Sequence, residues 1–517
     1  MKIINKFKST TTFIALYFTL TSLVFAQDVA EKRSKRIHRK TDFRIVGTLQ
    51  SLDVKSRGDI TVSDNDDDIT SISRGGYLRI RKTAFGNKKE VLIESDDEGN
   101  LNKYYYDNRS ETPFEPEGRR WLRDILPDVV RSSGIAAESR VNRFFNQGGA
   151  EAVLDEIEEL TSNSVRGRYF GLLLTKNGLN ARDLSRIARE VSDEVSSSSQ
   201  QGDIFRKYSH KFLASEESAE HFFNSIGKIS SSSEQGYTLR QILRKDKLTA
   251  GMKAELLDAT DNISSSSERG TVLREFNEQF DPTPEVVDAY FDALDGISSS
   301  SEKGSVLRDL LKMHDLSEDI LERLFESVDD ISSSSERGSV LRVAILQIKG
   351  KEKSLEQFFT TVGRISSSSE IGSVLRNIID EAELRSEYMP QLFETVDRIS
   401  SSSERGSVLR RAIPYLDNDP EATDQFFSSV EKISSSSEQG DVIITLLEES
   451  KKLDNRTLIE ALKASEGISS SSTRVEVMLA VAEWIDDGDS DVMEVYKDVA
   501  KSIDSSSGYR TVMERVF

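Results

Sequence analysis

The 517-residue chain contains no cysteine. That excludes disulfides, Fe–S clusters, thiolate zinc sites, a catalytic thiol and a lipoprotein anchor together. There are 4 histidines (His38, His210, His221 and His314), and none stands in a His-Glu-x-x-His arrangement. A zinc site of known spacing is therefore missing. Neither a Gly-x-Ser-x-Gly elbow nor a Walker-type Gly-x-x-x-x-Gly-Lys is present. Ser429-Val430-Glu431-Lys432 and Ser63-Asp64-Asn65 match fragments of penicillin-binding motifs. Their order is wrong and Lys-Thr-Gly is missing, so they read as coincidences in a serine-rich chain. Prolines number 8, few for this length. The net charge of −20 argues against general nucleic-acid binding. Spread over this length it is too dilute for a charge-expanded disordered chain.

One apolar run stands at the start. Lys2, Lys6 and Lys8 precede an uncharged stretch from Phe13 to Phe25, and Val24 and Ala26 fit the −3 and −1 positions before Gln27. This pattern predicts a cleaved secretory signal over residues 1–26. The run is short for a membrane span, and no later stretch reaches 18 apolar residues. A basic segment follows, with Lys32, Arg33, Lys35, Arg36, Arg39, Lys40 and Arg44; residues 27–42 read as a solvated linker, the alternative being attraction to an anionic membrane surface or cell envelope.

Residues 43–110 change character. Short alternating segments (Phe43–Leu49, Leu52–Lys55, Asp59–Ser63, Ile69–Ser73, Tyr77–Lys82, Val91–Glu94 and Leu101–Tyr106) are separated by turns such as Gly75-Gly76. They predict a small antiparallel meander or sandwich. The acidic loop Asp64–Asp68 could attract calcium, but an EF-type loop needs Gly at its sixth and Glu at its twelfth position. Ile69 and Gly75 stand there, so a solvated hairpin turn is expected.

After a helical junction over 111–158, self-similarity decides the architecture. A segment of the form Ile-Ser-Ser-Ser-Ser-Glu-x-Gly-Ser-Val-Leu-Arg recurs. Its leading apolar residue falls at Leu160, Val195, Ile229, Ile263, Ile297, Ile331, Ile365, Ile399, Ile433, Ile468 and Ile503, in steps of 34 or 35. In the unit around Ile331, Ile320, Leu321, Leu324, Phe325 and Val328 form a helical stripe. The serines break it, and Val340, Leu341, Ala344, Ile345 and Ile348 form a second. The expected fold is mainly α: a HEAT-like α-solenoid of about eleven 34–35-residue hairpins over 159–517, behind a small antiparallel β region. The last unit carries Asp504, Gly508, Arg510 and Glu514 in place of the usual residues, which reads as a terminal cap.

Four positions repeat in register. Ser333 and Glu336 predict a capping box, with the carboxylate reaching back to the Ser333 backbone. Gly304, Gly338 and Gly372 sit inside helices, where Gly costs about 1 kcal/mol against Ala. Close approach of the neighbouring helix is the expected reason. Arg342 and its counterparts, four residues after each Gly, should form ion pairs between repeats with acids such as Asp295, Asp329 and Asp330. Paired aromatics such as Phe222-Phe223 and Phe358-Phe359 are expected to pack the core. Partner specificity should then lie where repeats differ, near hairpin ends: Lys245, Asp281, Lys312, Lys349, Arg385 and Asp417.

The stretch Gly58-Asp59-Ile60, Gly75-Gly76-Tyr77-Leu78, Gly118-Arg119-Arg120-Trp121-Leu122, Ile125-Leu126-Pro127, Ala137-Glu138-Ser139-Arg140-Val141 and Gly148-Gly149, together with the repeats, resembles an uncharacterised family of bacterial extracytoplasmic helical-repeat proteins. Regions similar to these are attached to some membrane metallopeptidase sensors of the β-lactam-receptor type. The family more often shows Ser-Ser-Asp-Tyr-Glu where this chain has four serines and Glu. The sensor's membrane helices and its His-Glu-x-x-His are absent here, so no peptidase activity carries over. The resemblance implies an envelope-side repeat module. Sequence and resemblance together lead to a non-catalytic, exported scaffold for an unidentified protein partner, with no cofactor and no nucleic acid. The alternative is a sensory or regulatory module of an envelope-stress or cell-wall signalling system.

Overall fold

The computed structural model describes residues 40–46, 50–381, 388–416, 419–485 and 490–516. The expected signal segment and residues 27–39 of the linker lie outside the described residues, as do Arg385 and Asp417. Lys40, Thr41 and Asp42, expected to end the linker, open the first strand instead. The chain forms two compact units, which divide between Ile242 and Leu243.

In the first unit, β1 (Lys40–Val46), β2 (Gln50–Arg57), β5 (Tyr77–Ala84), β6 (Asn87–Ser95), β7 (Leu101–Asp107) and β8 (Ser110–Thr112) form one sheet in the order β1-β2-β5-β6-β7-β8. All neighbours are antiparallel. β3 (Ile60–Val62) and β4 (Ile69–Ile72) pair apart as a hairpin. The seven expected strands are present. The eighth, Ser-Glu-Thr, is too short and polar to carry an alternation. Val54, Leu78, Ile80, Val91, Ile93 and Tyr105 turn to one buried face. Helix Arg119–Ser133 covers that face with Leu122, Ile125, Leu126, Val129 and Val130. Helix Ala137–Glu158 follows and breaks at Gly148 and Gly149, whose φ of 69° suits Gly alone. The first hairpins come next, among them the helices Ala181–Glu194, Ser198–Phe212 and Glu216–Gly227.

The second unit is built of helical hairpins throughout. The helices that open hairpins include Pro284–Asp295, Glu318–Asp329, Glu352–Gly363, Met389–Val396 and Pro420–Glu431. Those that start within the serine runs include Ser300–Met313, Ser334–Ile348, Ser368–Glu381, Ser402–Ala412 and Ser436–Glu449. Like packs on like in two layers: Ser334–Ile348 lies between Ser300–Met313 and Ser368–Glu381, and Glu318–Asp329 lies against Glu352–Gly363. This is the HEAT-like α-solenoid read from the period. Leu324, Phe325 and Val328 from one layer and Val340, Leu341, Ala344 and Ile345 from the other are fully buried between them. The paired aromatics are core residues, as expected. Phe325 meets Phe358 edge-on at 6.1 Å, and Phe393 meets Phe426 at 5.9 Å. No helix among the described residues is long and apolar enough to cross a membrane.

Candidate functional site

The repeated polar residues form one bonding scheme between hairpins. Ser333 accepts the Glu336 N–H at 3.4 Å, the expected cap. The other half of the expected capping box is not formed. The Glu336 carboxylate instead accepts from Arg308 Nη1 of the preceding hairpin at 2.8 Å. A guanidinium offers a charge-assisted bond, roughly twice as strong as one from a neutral amide. Arg342 makes the same bond to Glu370 at 3.1 Å, Arg376 to Glu404 at 2.9 Å and Arg274 to Glu302 at 2.7 Å. The arginines thus pair between repeats, but not with the expected aspartates. Asp295 and Asp329 end the other layer of helices, where Asp295 accepts from Ser327 at 3.3 Å and Asp329 pairs with Arg364.

The register glycines make room for these pairs, rather than for a neighbouring helix backbone. A Cβ at Gly338 would stand 2.5 Å from Glu370 Oε2 and 3.2 Å from Arg342 Nη1. At Gly304 it would meet Glu336 Oε2 at 2.7 Å, and at Gly372 it would meet Glu404 Oε2 at 2.6 Å. The serines are engaged as well. Ser334 bonds Ser366 of the next hairpin at 2.9 Å, Ser368 bonds Ser400 at 3.0 Å and Ser402 bonds Ser434 at 2.9 Å.

Sequence reading left the residue after each Glu without a role. Arg337 donates to the carbonyls of Asp329 (2.7 Å) and Ile331 (2.8 Å), and to that of Arg364 in the next hairpin at 2.9 Å. Gln201 donates to the Val195 carbonyl at 2.6 Å and Arg405 to that of Ile399 at 2.6 Å. These side chains satisfy the open carbonyls at the end of the preceding helix. Burial pulls the Arg405 and Arg269 guanidinium pKa values below their ordinary range. The available signal was a long polar residue beside a buried Gly in most units, with Ile371 before Gly372 as an exception.

In the first unit, charge is concentrated under the acidic loop. Arg140, 1% exposed, donates to Asp66 Oδ2 (2.8 and 3.0 Å), to Glu156 (2.7 Å) and to the Tyr169 hydroxyl (2.5 Å). Arg143 holds the other side of Asp66 at 2.9 Å and donates to the Ser63 carbonyl at 2.8 Å. Arg131 grips Glu156 with two bonds of 3.0 and 3.1 Å. Asp68 pairs with Lys103 and Arg119. The Asp64–Asp68 loop is the expected hairpin turn, with Asp64 and Asn65 exposed at its tip. It is not wholly solvated: buried Asp66 and half-buried Asp68 anchor it to cations of the protein. Burial pushes the Tyr169 hydroxyl pKa up, partly countered by Arg140.

Two clefts remain. One, of about 310 Å³ in the first unit, is lined by Thr41, Ser56, Asp59, Ser139, Asn142 and Arg168 among others. Ser56 is buried and its hydroxyl has no partner among the described residues. The other, of about 340 Å³ in the second unit, lies between helices Glu352–Gly363 and Met389–Val396. Among the described residues no group of three or more His, Asp or Glu side chains could hold a metal ion. Ser429 and Lys432 both bind the Asp397 carboxylate, Ser429 at 2.8 Å, so the Ser-x-x-Lys match has a packing role. Of the variable positions, Lys312 is exposed, Lys245 and Lys349 are exposed but have partners, and Asp281 is held by Lys253 at 3.2 Å.

No protein-family model matches the chain, and no curated protein matches it. Among solved structures, it is similar to a protein from the computational design of self-assembling cyclic homooligomers. The identity is 11% and the TM-score 0.13, over 58% of this chain and 98% of that one. It is also similar to a circular tandem repeat protein with novel repeat topology and enhanced subunit contact surfaces. There the identity is 13% and the TM-score 0.13, over 78% of this chain and 90% of that one. Neither likeness bears on function.

Proposed function

We propose that this helical repeat protein is a non-catalytic, exported scaffold that binds another protein in a bacterial envelope. One observation carries the reading. The polar residues fixed by the repeat (Ser333, Glu336, Arg337 and Arg342) bond to other parts of the array. The surface left for recognition is then made of residues that differ between hairpins, such as the exposed Lys312. Repeat proteins gain partner specificity from such unit-to-unit differences in charge. The export part rests on the signal pattern of residues 1–26 and on the resemblance to extracytoplasmic proteins. Photocrosslinking from position 312 in cells tests the binding role. A discrete protein adduct, lost when exposed residues neighbouring position 312 are reversed in charge, is expected. Mass spectrometry of the purified protein tests export, with an N-terminus at Gln27 expected and one at Met1 refuting it.

The second reading, a sensory module for a cell-wall ligand, draws on the cleft beside Ser56. Its polar lining, to which Ser56 belongs, suits a small polar ligand. Muropeptide titration followed by thermal shift separates the two. A saturable rise that is lost in Ser56→Val favours sensing.

A further inference from the structure

At the end of the opening helices, three hairpin junctions are tied by a second ion pair. Asp193 pairs with Lys228, Asp329 with Arg364, and Asp397 with Lys432, each 35 residues apart. The intervening pair in the second unit is broken. Where Asp329 and Asp397 stand one repeat either side, the chain has Gly363. The cation that such an aspartate would hold is still there, as Arg398. Among the described residues no carboxylate lies within salt-bridge distance of Arg398, and its side chain donates no hydrogen bond.

A cleft of about 340 Å³ opens beside this position. Phe359 and Thr395 are its buried floor, Arg364 and Arg398 flank it, and Glu356 and Glu394 stand exposed at its rim. A Cβ at Gly363 would meet nothing closer than Arg398 Cγ at 3.8 Å, an ordinary contact. The hollow therefore has room for a side chain at this point.

We infer that this cleft is a docking site for an acidic side chain of a partner protein, whose carboxylate supplies to Arg398 what Asp329 and Asp397 supply to Arg364 and Lys432. The inference deepens the scaffold reading and rests on it for the source of the carboxylate. The Arg398 guanidinium offers a planar donor fork suited to a carboxylate, while Arg364 is already held by Asp329. The rim acids Glu356 and Glu394 select against a cluster of acids and favour a single Asp or Glu with a neutral or basic neighbour.

The test uses the full chain with ¹⁵N-labelled arginine. The Arg398 Nε–H signal is identified by its loss in Arg398→Lys. The probe is N-acetyl-aspartyl amide, with N-acetyl-asparaginyl amide as its neutral counterpart. An exposed charge pair is weak, so the probe is titrated to high concentration. The expected result is a saturable shift of the Arg398 signal with the acidic probe and none with the neutral one. In Gly363→Asp the signal should start at the shifted position and no longer respond, while the other arginine signals keep their places. No shift in the wild type, an equal shift with both probes, or an undiminished response in Gly363→Asp would overturn the inference. If Gly363→Asp disturbs the other signals, the comparison of the two probes on the wild type decides alone. Crosslinked adducts from position 312 without any Arg398 response would sink this site and leave the scaffold reading standing.

Discussion

Replacing glycine by alanine inside a helix ordinarily stabilises it by about 1 kcal/mol. At Gly338 that gain should be cancelled. The new methyl would lie 2.5 Å from Glu370 Oε2 and 3.2 Å from Arg342 Nη1, inside the pair that ties one hairpin to the next. Both atoms end flexible side chains that are roughly a quarter exposed, so the pair can move aside at about 0.5–1 kcal/mol, less than the overpacking of a closed core costs. Set against the propensity gain, Gly338→Ala should be neutral to within about 0.5 kcal/mol. Gly171→Ala is the control. That Gly also lies in a helix, but its added methyl would meet only the Tyr208 hydroxyl at 3.6 Å, so it should keep the gain. Native-state hydrogen exchange of helices Ser334–Ile348 and Asn163–Leu173 reads each effect locally, which suits an array whose units need not unfold together. A second arm removes the obstacle: in a Glu370→Ala background, Gly338→Ala should show the gain it lacks alone, because the clashing carboxylate is gone. If Gly338→Ala raises protection as Gly171→Ala does, the pair is not what the glycine accommodates.

Three further outcomes are expected. Arg140→Met should destabilise the first unit by about 3–5 kcal/mol, because Asp66 and Glu156 would lose a buried cation. Urea unfolding followed by Trp121 fluorescence checks this, and a loss below about 1 kcal/mol would mean the network is dispensable. Ser333→Ala should cost about 1 kcal/mol by uncapping helix Ser334–Ile348, read as faster exchange of its first turn. Burial pushes the Tyr496 hydroxyl pKa from 10.0 up to about 12. The folded state therefore favours the neutral ring. The stability this provides is fully present below pH 10 and is lost as pH rises towards 12. The wild type should lose more stability across that window than Tyr496→Phe, and parallel curves would refute the burial argument.

The sequence showed the fold well and the bonding scheme poorly, for one physical reason. Periodicity reports which residues share a face, and that suffices for the stripes Leu324-Phe325-Val328 and Val340-Leu341-Ala344. It does not report which face of the next hairpin a side chain meets. Ser333 was legible as a cap because its partner lies three residues away. The Glu336 partner, Arg308, is 28 residues away, and a local capping rule misplaced its carboxylate. The same limit hid the anchor loop. Asp66 and Arg140 are 74 residues apart, and nothing in either segment names the other. Gly363 was not singled out by the repeat pattern, and its consequence for Arg398 appeared only once the two helix ends stood side by side.

From Arg274 to Glu438, each hairpin reaches its successor with an arginine and receives its predecessor with a glutamate, and the donor and acceptor ends are alike from one hairpin to the next. Excising 34 residues in frame, from Gly304 to Arg337, would leave Arg274–Glu302 intact and bring Gly338 and Arg342 to the places of Gly304 and Arg308. The gene can therefore lose or duplicate a unit by unequal recombination without creating an unmatched seam. The same interchangeability invites a nascent hairpin to dock against the wrong sister, in its own chain or another. Irregular positions such as Gly363, Asp281 and Asn277, which bonds Tyr290 at 2.7 Å, are then the marks by which the chain keeps its count.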